Sequence, residues 1–115
     1  MRLALLWLML ASRVYHVVPV AALARSLHTH VEVSGRVTSV RHEADGDWHV
    51  RISDGLVSIV AEIIPAIPLP VPRVGQCVQI RGIRRIDRER GHRQQAEVHP
   101  VEWIAVVPCS EGTSP

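Results

Sequence analysis

Carboxylate and imidazole side chains recur in three short segments of the sequence. The first segment reads Asp-Gly-Asp-Trp-His from position 45, and the last places Glu97 and His99 two positions apart. On a β-strand that spacing points both side chains to one face. Oxygen and imidazole ligands suit Zn, Mn or Ca as the bound ion. The candidate metal ligands are Asp45, Asp47, His49, Glu62, Glu97 and His99.

No spacing among these residues is an established metal-ligand signature. They are also consistent with solvated charges on an outward face, or with carboxylates paired to Arg36, Arg51 or Arg81. The position of Glu62 bears on this choice, because its strand is expected to neighbour the strand that carries Glu97 and His99.

A second candidate site is basic. All 13 cationic side chains are arginine, and six of them fall within positions 81–93, although the formal net charge of the chain is only +2. Guanidinium groups are planar donors that contact phosphates and stack on bases, so this segment could bind single-stranded nucleic acid or another polyanion. A charged hairpin tip that meets only solvent is the alternative. The predicted ligand-binding residues are Arg51, Arg81, Arg84, Arg85, Arg88, Arg90 and Arg93.

The elements that must position these residues are mainly β-strands. Apolar residues alternate with polar ones in five stretches, which predicts strands over 30–41, 48–53, 57–64, 76–83 and 95–107, with a bulge near Thr38 and a kink at Pro100. Trp48 is expected to point into an aliphatic core. Residues 21–27 predict two turns of helix, with Leu23 and Leu27 packed on one side. Four prolines within 65–72 predict a polyproline-like connector that lies on the protein body.

This strand pattern favours an all-β fold, a five-stranded OB-like Greek-key barrel. The proline connector stands where many OB-folds have a helix between the third and fourth strands, and residues 74–82 resemble the fourth strand of many OB-folds. A chain of 115 residues is one domain by size. The predicted organisation is an N-terminal segment 1–13, an extended piece and short helix over 14–29, the barrel over 30–107, and a flexible tail over 108–115.

Within the N-terminal segment, Arg2 precedes a short apolar run from Leu3 to Ala11, as in a secretory signal or an uncleaved anchor. The chain is therefore expected to be exported or anchored, with contact to a membrane surface through this segment. A cytoplasmic protein with an ordinary N-terminal extension is the alternative. Cys77 and Cys109 could pair in an oxidising compartment, or each could be a lone thiol.

Three segments, 45–49, 60–65 and 97–101, occur in an order that resembles a group of uncharacterised prokaryotic proteins with a small OB-like domain. The resemblance covers about residues 30–104 and implies a fold, a site on these segments and frequent export, but no activity. The chain departs from the group at 93–96, where a Gly-Trp approach to the Glu-x-His segment is replaced by Arg-Gln-Gln-Ala.

The Asp-Gly-Asp segment also resembles the calcium site of staphylococcal-type nucleases, whose barrel is OB-like. Trp48 follows it where that family has Thr, and the downstream acidic and Arg residues lack a matching arrangement.

These features lead to three hypotheses about function. The first is a non-enzymatic OB-fold module that binds an anionic ligand, single-stranded nucleic acid above all. The second is a divalent-metal-binding domain, with metal-dependent hydrolysis or nuclease activity as its enzymatic form. The third is a structural domain associated with the cell envelope. The sequence shows neither a nucleophile with a paired base nor a glycine-rich phosphate loop.

Overall fold

A closed β-barrel forms the body of the protein. The computed structural model describes residues 14–87 and 95–110. Its elements are β1 (His16–Val17), a 3-10 helix (Val20–Arg25), β2 (His30–His42), β3 (Trp48–Ser53), β4 (Ser58–Ile63), β5 (Cys77–Asp87) and β6 (Gln95–Val107). Strands β2 to β6 follow the order β2-β3-β4-β6-β5, and β5 pairs again with β2 to close the barrel. Only β4–β6 is parallel among these pairs. This is the Greek-key order of an OB-fold, which confirms the predicted fold class.

The barrel interior is aliphatic, as the absence of Phe requires. Alternate residues of each strand point inward, and Leu23 of the 3-10 helix packs against them. The proline connector covers part of this core, because Leu69 and Val71 pack against it. The largest fully buried side chains among the described residues are Leu23, Val31, Val33, Val37, Val50, Ile52, Val78, Ile80, Val98 and Val101.

Strand β2 belongs to two pairings and bends between them. Its first half pairs with β5 and its second half with β3, with a register shift between Val37 and Ser39. The bulge predicted near Thr38 is therefore present. Gly35 permits the close crossing, since a Cβ there would lie 2.5 Å from Ile52 Cγ2.

The predicted helix over 21–27 is wrong in type and extent. The structure has a 3-10 helix that ends at Arg25, and Ser26 already has an extended backbone with ψ 142°. Leu23 is buried, whereas Leu27 is 97% exposed and does not pack beside it. With three residues per turn and an early stop, the two leucines no longer share one face.

The fourth barrel strand is longer than predicted. Strand β5 continues to Asp87, because its pairing with β6 extends to the partners Asp87 and Gln95. Arg84 and Arg85 therefore lie within a strand and not in a hairpin tip. Trp48 packs against the core as predicted, but it is only half-buried, and its ring stacks on His42 with ring centroids 4.1 Å apart.

Cys77 and Cys109 form a disulfide bond, with their Cα atoms 5.2 Å apart. The bond ties the chain after β6 to the start of β5, which settles the alternative that the sequence left open. Within the described ranges, no helix has the length and apolar character needed to cross a membrane. The predictions for 1–13 and for 111–115 lie outside the described residues.

Candidate metal-binding site

The outward faces of β3, β4 and β6 bring the predicted ligands together. Val50 and Ile52 point into the core, so His49 on the same strand points outward. Antiparallel pairing sets His49 opposite Glu62. The parallel register of β4 and β6, in which Ala61 partners Val98, places Glu62 next to His99.

Glu62 is the centre of the arrangement. Its Oε1 accepts a hydrogen bond from His49 Nε2, and its Oε2 lies 2.7 Å from His99 Nδ1. Glu97 joins through an oxygen 3.4 Å from the same His99 nitrogen. The side chains of Glu62 and Glu97 are only 12% and 13% exposed, so they are not freely solvated charges.

Asp47 reaches the same place from the loop between β2 and β3. Its backbone N–H donates to Asp45 Oδ1 at 2.9 Å, and its carbonyl accepts from Glu43 N–H at 2.8 Å. Gly46 supplies the positive φ of 95° that this tight loop requires. As a result, ligand atoms of Asp47, Glu62 and His99 all lie within 4.8 Å of one another. The carboxylate of Asp45 closes the turn and is not among these three residues, so its role as a metal ligand stays a prediction.

We call Asp47, His49, Glu62, Glu97 and His99 the carboxylate–imidazole cluster. Burial raises the pKa of Glu97 above its ordinary value, and the charge of Glu62 raises it further. Burial also raises the pKa of Asp47, with added contributions from Asp45 and Glu62. Carboxylates that lie close together repel one another when all of them are ionised, and a cation bound among them would reduce this repulsion.

Two arginines flank the cluster. Arg41 pairs with His49 across β2 and β3, and its Nη2 lies 2.7 Å from Glu43 Oε1 and 3.3 Å from His49 Nδ1. At the other side, Arg85 is the register partner of Glu97, and its Nη1 lies 3.5 Å from His99 Nδ1. A row of side chains therefore crosses all five barrel strands. The cross-strand row consists of Arg41, His49, Glu62, His99 and Arg85.

The other described arginines of the predicted basic site have structural partners. Arg81 Nε donates to Glu32 at 2.9 Å, and its guanidinium lies 4.4 Å from the centre of the Trp103 ring. Arg84 donates to the carbonyls of Leu23 and Ala24, at 2.7 and 2.8 Å, and so secures the 3-10 helix. Both guanidinium groups therefore already have partners within the barrel, and their role in ligand binding stays a prediction.

The predicted basic site also includes Arg51, Arg88, Arg90 and Arg93. Arg51 is exposed and donates to Ser58 Oγ at 3.1 Å, so neither Arg51 nor Arg81 pairs with the cluster carboxylates. Arg88, Arg90 and Arg93 lie outside the described residues.

Sequence reasoning missed Arg41 and Glu43. Both precede the Asp-Gly-Asp turn, and a hairpin places the residues before a turn opposite those after it. The sequence therefore contained this information. Arg41 lies about as far before the turn as His49 lies after it, and the two are register partners.

The location of the cluster matters for binding. OB-folds bind oligonucleotides and oligosaccharides on the face of their second and third strands and with the loops that border it. Here those strands are β3 and β4, which carry His49 and Glu62, and the loop before β3 carries Asp47. The cluster thus lies on the face that corresponds to the ligand-binding face of other OB-folds.

Comparison with known proteins identifies the fold. No protein-family model matches the chain, and no curated protein matches its sequence. An aspartyl-tRNA synthetase from Entamoeba histolytica matches in structure with a TM-score of 0.66 and 18% identity, over 89% of this chain and 23% of that chain. The Stn1–Ten1 complex from S. pombe matches with a TM-score of 0.61 and 16% identity, over 87% of this chain and 83% of that chain.

The hypothetical protein ygiW from E. coli matches with a TM-score of 0.56 and 19% identity, over 80% of this chain and 90% of that chain. The chain spans about a quarter of the length of the synthetase chains that it matches. At these identities the likeness shows the fold alone, and it agrees with the OB topology.

Proposed function

We propose that this protein is an OB-fold module that binds a divalent cation on its ligand-binding face. The observation that carries the proposal is the convergence of Asp47, Glu62 and His99, whose ligand atoms lie within 4.8 Å of one another. The three residues come from a loop and two strands, so only the folded barrel assembles them.

The donor set favours particular metals. Two carboxylates and an imidazole suit Zn or Mn, whereas Ca prefers a shell made entirely of oxygen ligands. His49 and Glu97 contact the other members and would orient them, as outer partners do in metal sites. The raised pKa of Glu97 supports the same view, because a bound cation stabilises the ionised carboxylates.

The test is cation binding by the purified full chain after dialysis against a chelator. Titration calorimetry is expected to show binding of a single Zn or Mn ion, and the His99→Ala variant is expected to lose it. At a free ion concentration of about 100 times Kd, binding stabilises the fold by about 2.7 kcal/mol, which raises Tm by about 10 °C.

The matched control is His28→Ala, which removes an exposed histidine that stacks on His16 outside the cluster. This variant should bind the ion as the native chain does. Absence of stoichiometric binding to the native chain, or equal loss in both variants, would contradict the proposal.

The second candidate function is binding of single-stranded nucleic acid through the predicted basic hairpin, positions 81–93 of the sequence, without a cation. Two observations favour it. Arg85 is exposed and lies on β5, within the predicted basic segment. The fold is one that binds oligonucleotides, and one of the matched structures is an aspartyl-tRNA synthetase.

For this candidate, affinity for a labelled oligothymidylate in the presence of chelator is expected to fall steeply with salt. Replacing Arg88, Arg90 and Arg93 by alanine should reduce the slope of log affinity against log salt by about 0.7 for each phosphate that the variant no longer neutralises. The control is Arg73→Ala, which replaces an exposed arginine directly after the proline connector. An unchanged slope in the triple variant would exclude the hairpin as the binding surface.

A further inference from the structure

One guanidinium of the cross-strand row stands out from its neighbours on β5. Arg81 is held by Glu32 and Trp103, and Arg84 by two backbone carbonyls. Arg85 is exposed, and the polar contact that the described residues offer it is the 3.5 Å approach to His99 Nδ1. Its donors are therefore available to a ligand that arrives at the cluster.

At the opposite end of the cross-strand row, the guanidinium of Arg41 already has a charged partner. Arg41 donates two hydrogen bonds to Glu43, at 3.2 and 2.7 Å, and its charge is balanced there. Arg85 has fewer contacts with its neighbours than Arg41, so its donors are the more available to an anion that approaches the cluster. Because a guanidinium fork matches the oxygens of a phosphate group, this end of the row is suited to a phosphate.

A cation in the cluster would complete such a site. Asp47, Glu62 and His99 supply three ligands, whereas Zn takes four or five and Mn commonly takes six, so coordination positions stay open for an outside oxygen. Without a cation, the three carboxylates of the cluster repel phosphate. A divalent ion together with Arg85 balances their charge.

We propose that the cation and Arg85 together bind one phosphate group of a single-stranded nucleic acid, with one phosphate oxygen on the ion and another on the guanidinium. This inference rests on the proposed cation site and names the ligand class of that same site. Phosphodiester is the anionic group among the oligomers that bind this face of OB-folds. Binding of the strand then depends on the cation, in contrast to binding through the hairpin alone.

The test measures fluorescence anisotropy of a labelled short oligothymidylate with the full chain, in Mn²⁺ and in chelator. The native chain is expected to bind about tenfold more tightly in Mn²⁺, which is the contribution of one charge-assisted interaction. Arg85→Ala should abolish this increase in affinity while calorimetry still shows a bound Mn²⁺ ion. Arg73→Ala should keep both the increase and the ion. An oligothymidylate with uncharged methylphosphonate linkages should show no increase.

The outcomes separate the two proposals. If Mn²⁺ does not bind the native chain, the proposed cation site fails, and this inference fails with it. If Mn²⁺ binds but does not strengthen oligonucleotide binding, the inference alone is overturned. It is also overturned if Arg85→Ala keeps the increase in affinity, or if the methylphosphonate strand shows the same increase.

Discussion

Replacing Glu62 by glutamine is expected to lower the affinity for divalent cations by about 100-fold or more. Loss of a partner outside the ligand shell already costs about 10- to 100-fold, and Glu62 is a candidate ligand itself. The variant also lacks an acceptor for one imidazole, because a glutamine amide nitrogen cannot accept the hydrogen bonds that the carboxylate receives from His49 and His99.

The measurement is a calorimetric titration of the chelator-treated chain with Mn²⁺ and Zn²⁺ at neutral pH. Glu32→Gln is the matched control, since it removes the same charge from a carboxylate that pairs with Arg81 elsewhere on the barrel. Circular dichroism confirms that both variants fold. Retention of the native affinity by a folded Glu62→Gln variant would show that the cluster does not hold the ion through Glu62.

Replacing Gly82 by alanine is expected to destabilise the barrel by about 3 kcal/mol or more, which is a large fraction of the free energy of unfolding of a marginally stable domain. A Cβ at this position would meet the backbone carbonyl of Pro100 and would lie 2.6 Å from Val98 Cγ1. The neighbour is backbone, so a change of rotamer cannot relieve the clash. The affected segment also carries His99, and its displacement would disturb the cluster.

The expected loss of stability is measured by urea unfolding, or by soluble yield where the variant does not fold. Gly75→Ala is the control, because Gly75 has a positive φ of 94° but no neighbour within 4 Å of an added Cβ. That change carries only the cost of a left-handed backbone, about 1 to 2 kcal/mol. Equal stability losses in the two variants would mean that the close approach of β5 and β6 is not what requires Gly82.

Local pattern was sufficient for much of the fold. The alternation of apolar residues identified all five barrel strands, and a break in that alternation located the bulge between Val37 and Ser39. The 3-10 helix was misjudged because the spacing of Leu23 and Leu27 suggested an α-helical face, whereas the helix ends at Arg25 and leaves Leu27 exposed. The strand end at Asp87 was misjudged because β5 is extended by its pairing with β6, which no local signal reports.

The residue types of the candidate site could be predicted from the sequence, but most of the contacts between its side chains could not. The shared face of Glu97 and His99 follows from their spacing. The contact of Glu62 with His99 depends on the register of a parallel pair between β4 and β6, which carries only the partners Val60–Glu97 and Ala61–Val98. The bonds from Arg84 to carbonyls about 60 residues away in sequence were likewise not predictable, because they depend on where the 3-10 helix packs.

The sequence by itself determined which residues face the aliphatic core and which face outward, because burial of apolar side chains imposes a period of two on every strand. It also supplied the ligand types of the cluster. Only the tertiary structure decided which outward side chains meet. Outward residues are not selected by burial, so their neighbours depend on strand register, and register here is set by the bulge in β2 and by the close packing at Gly82.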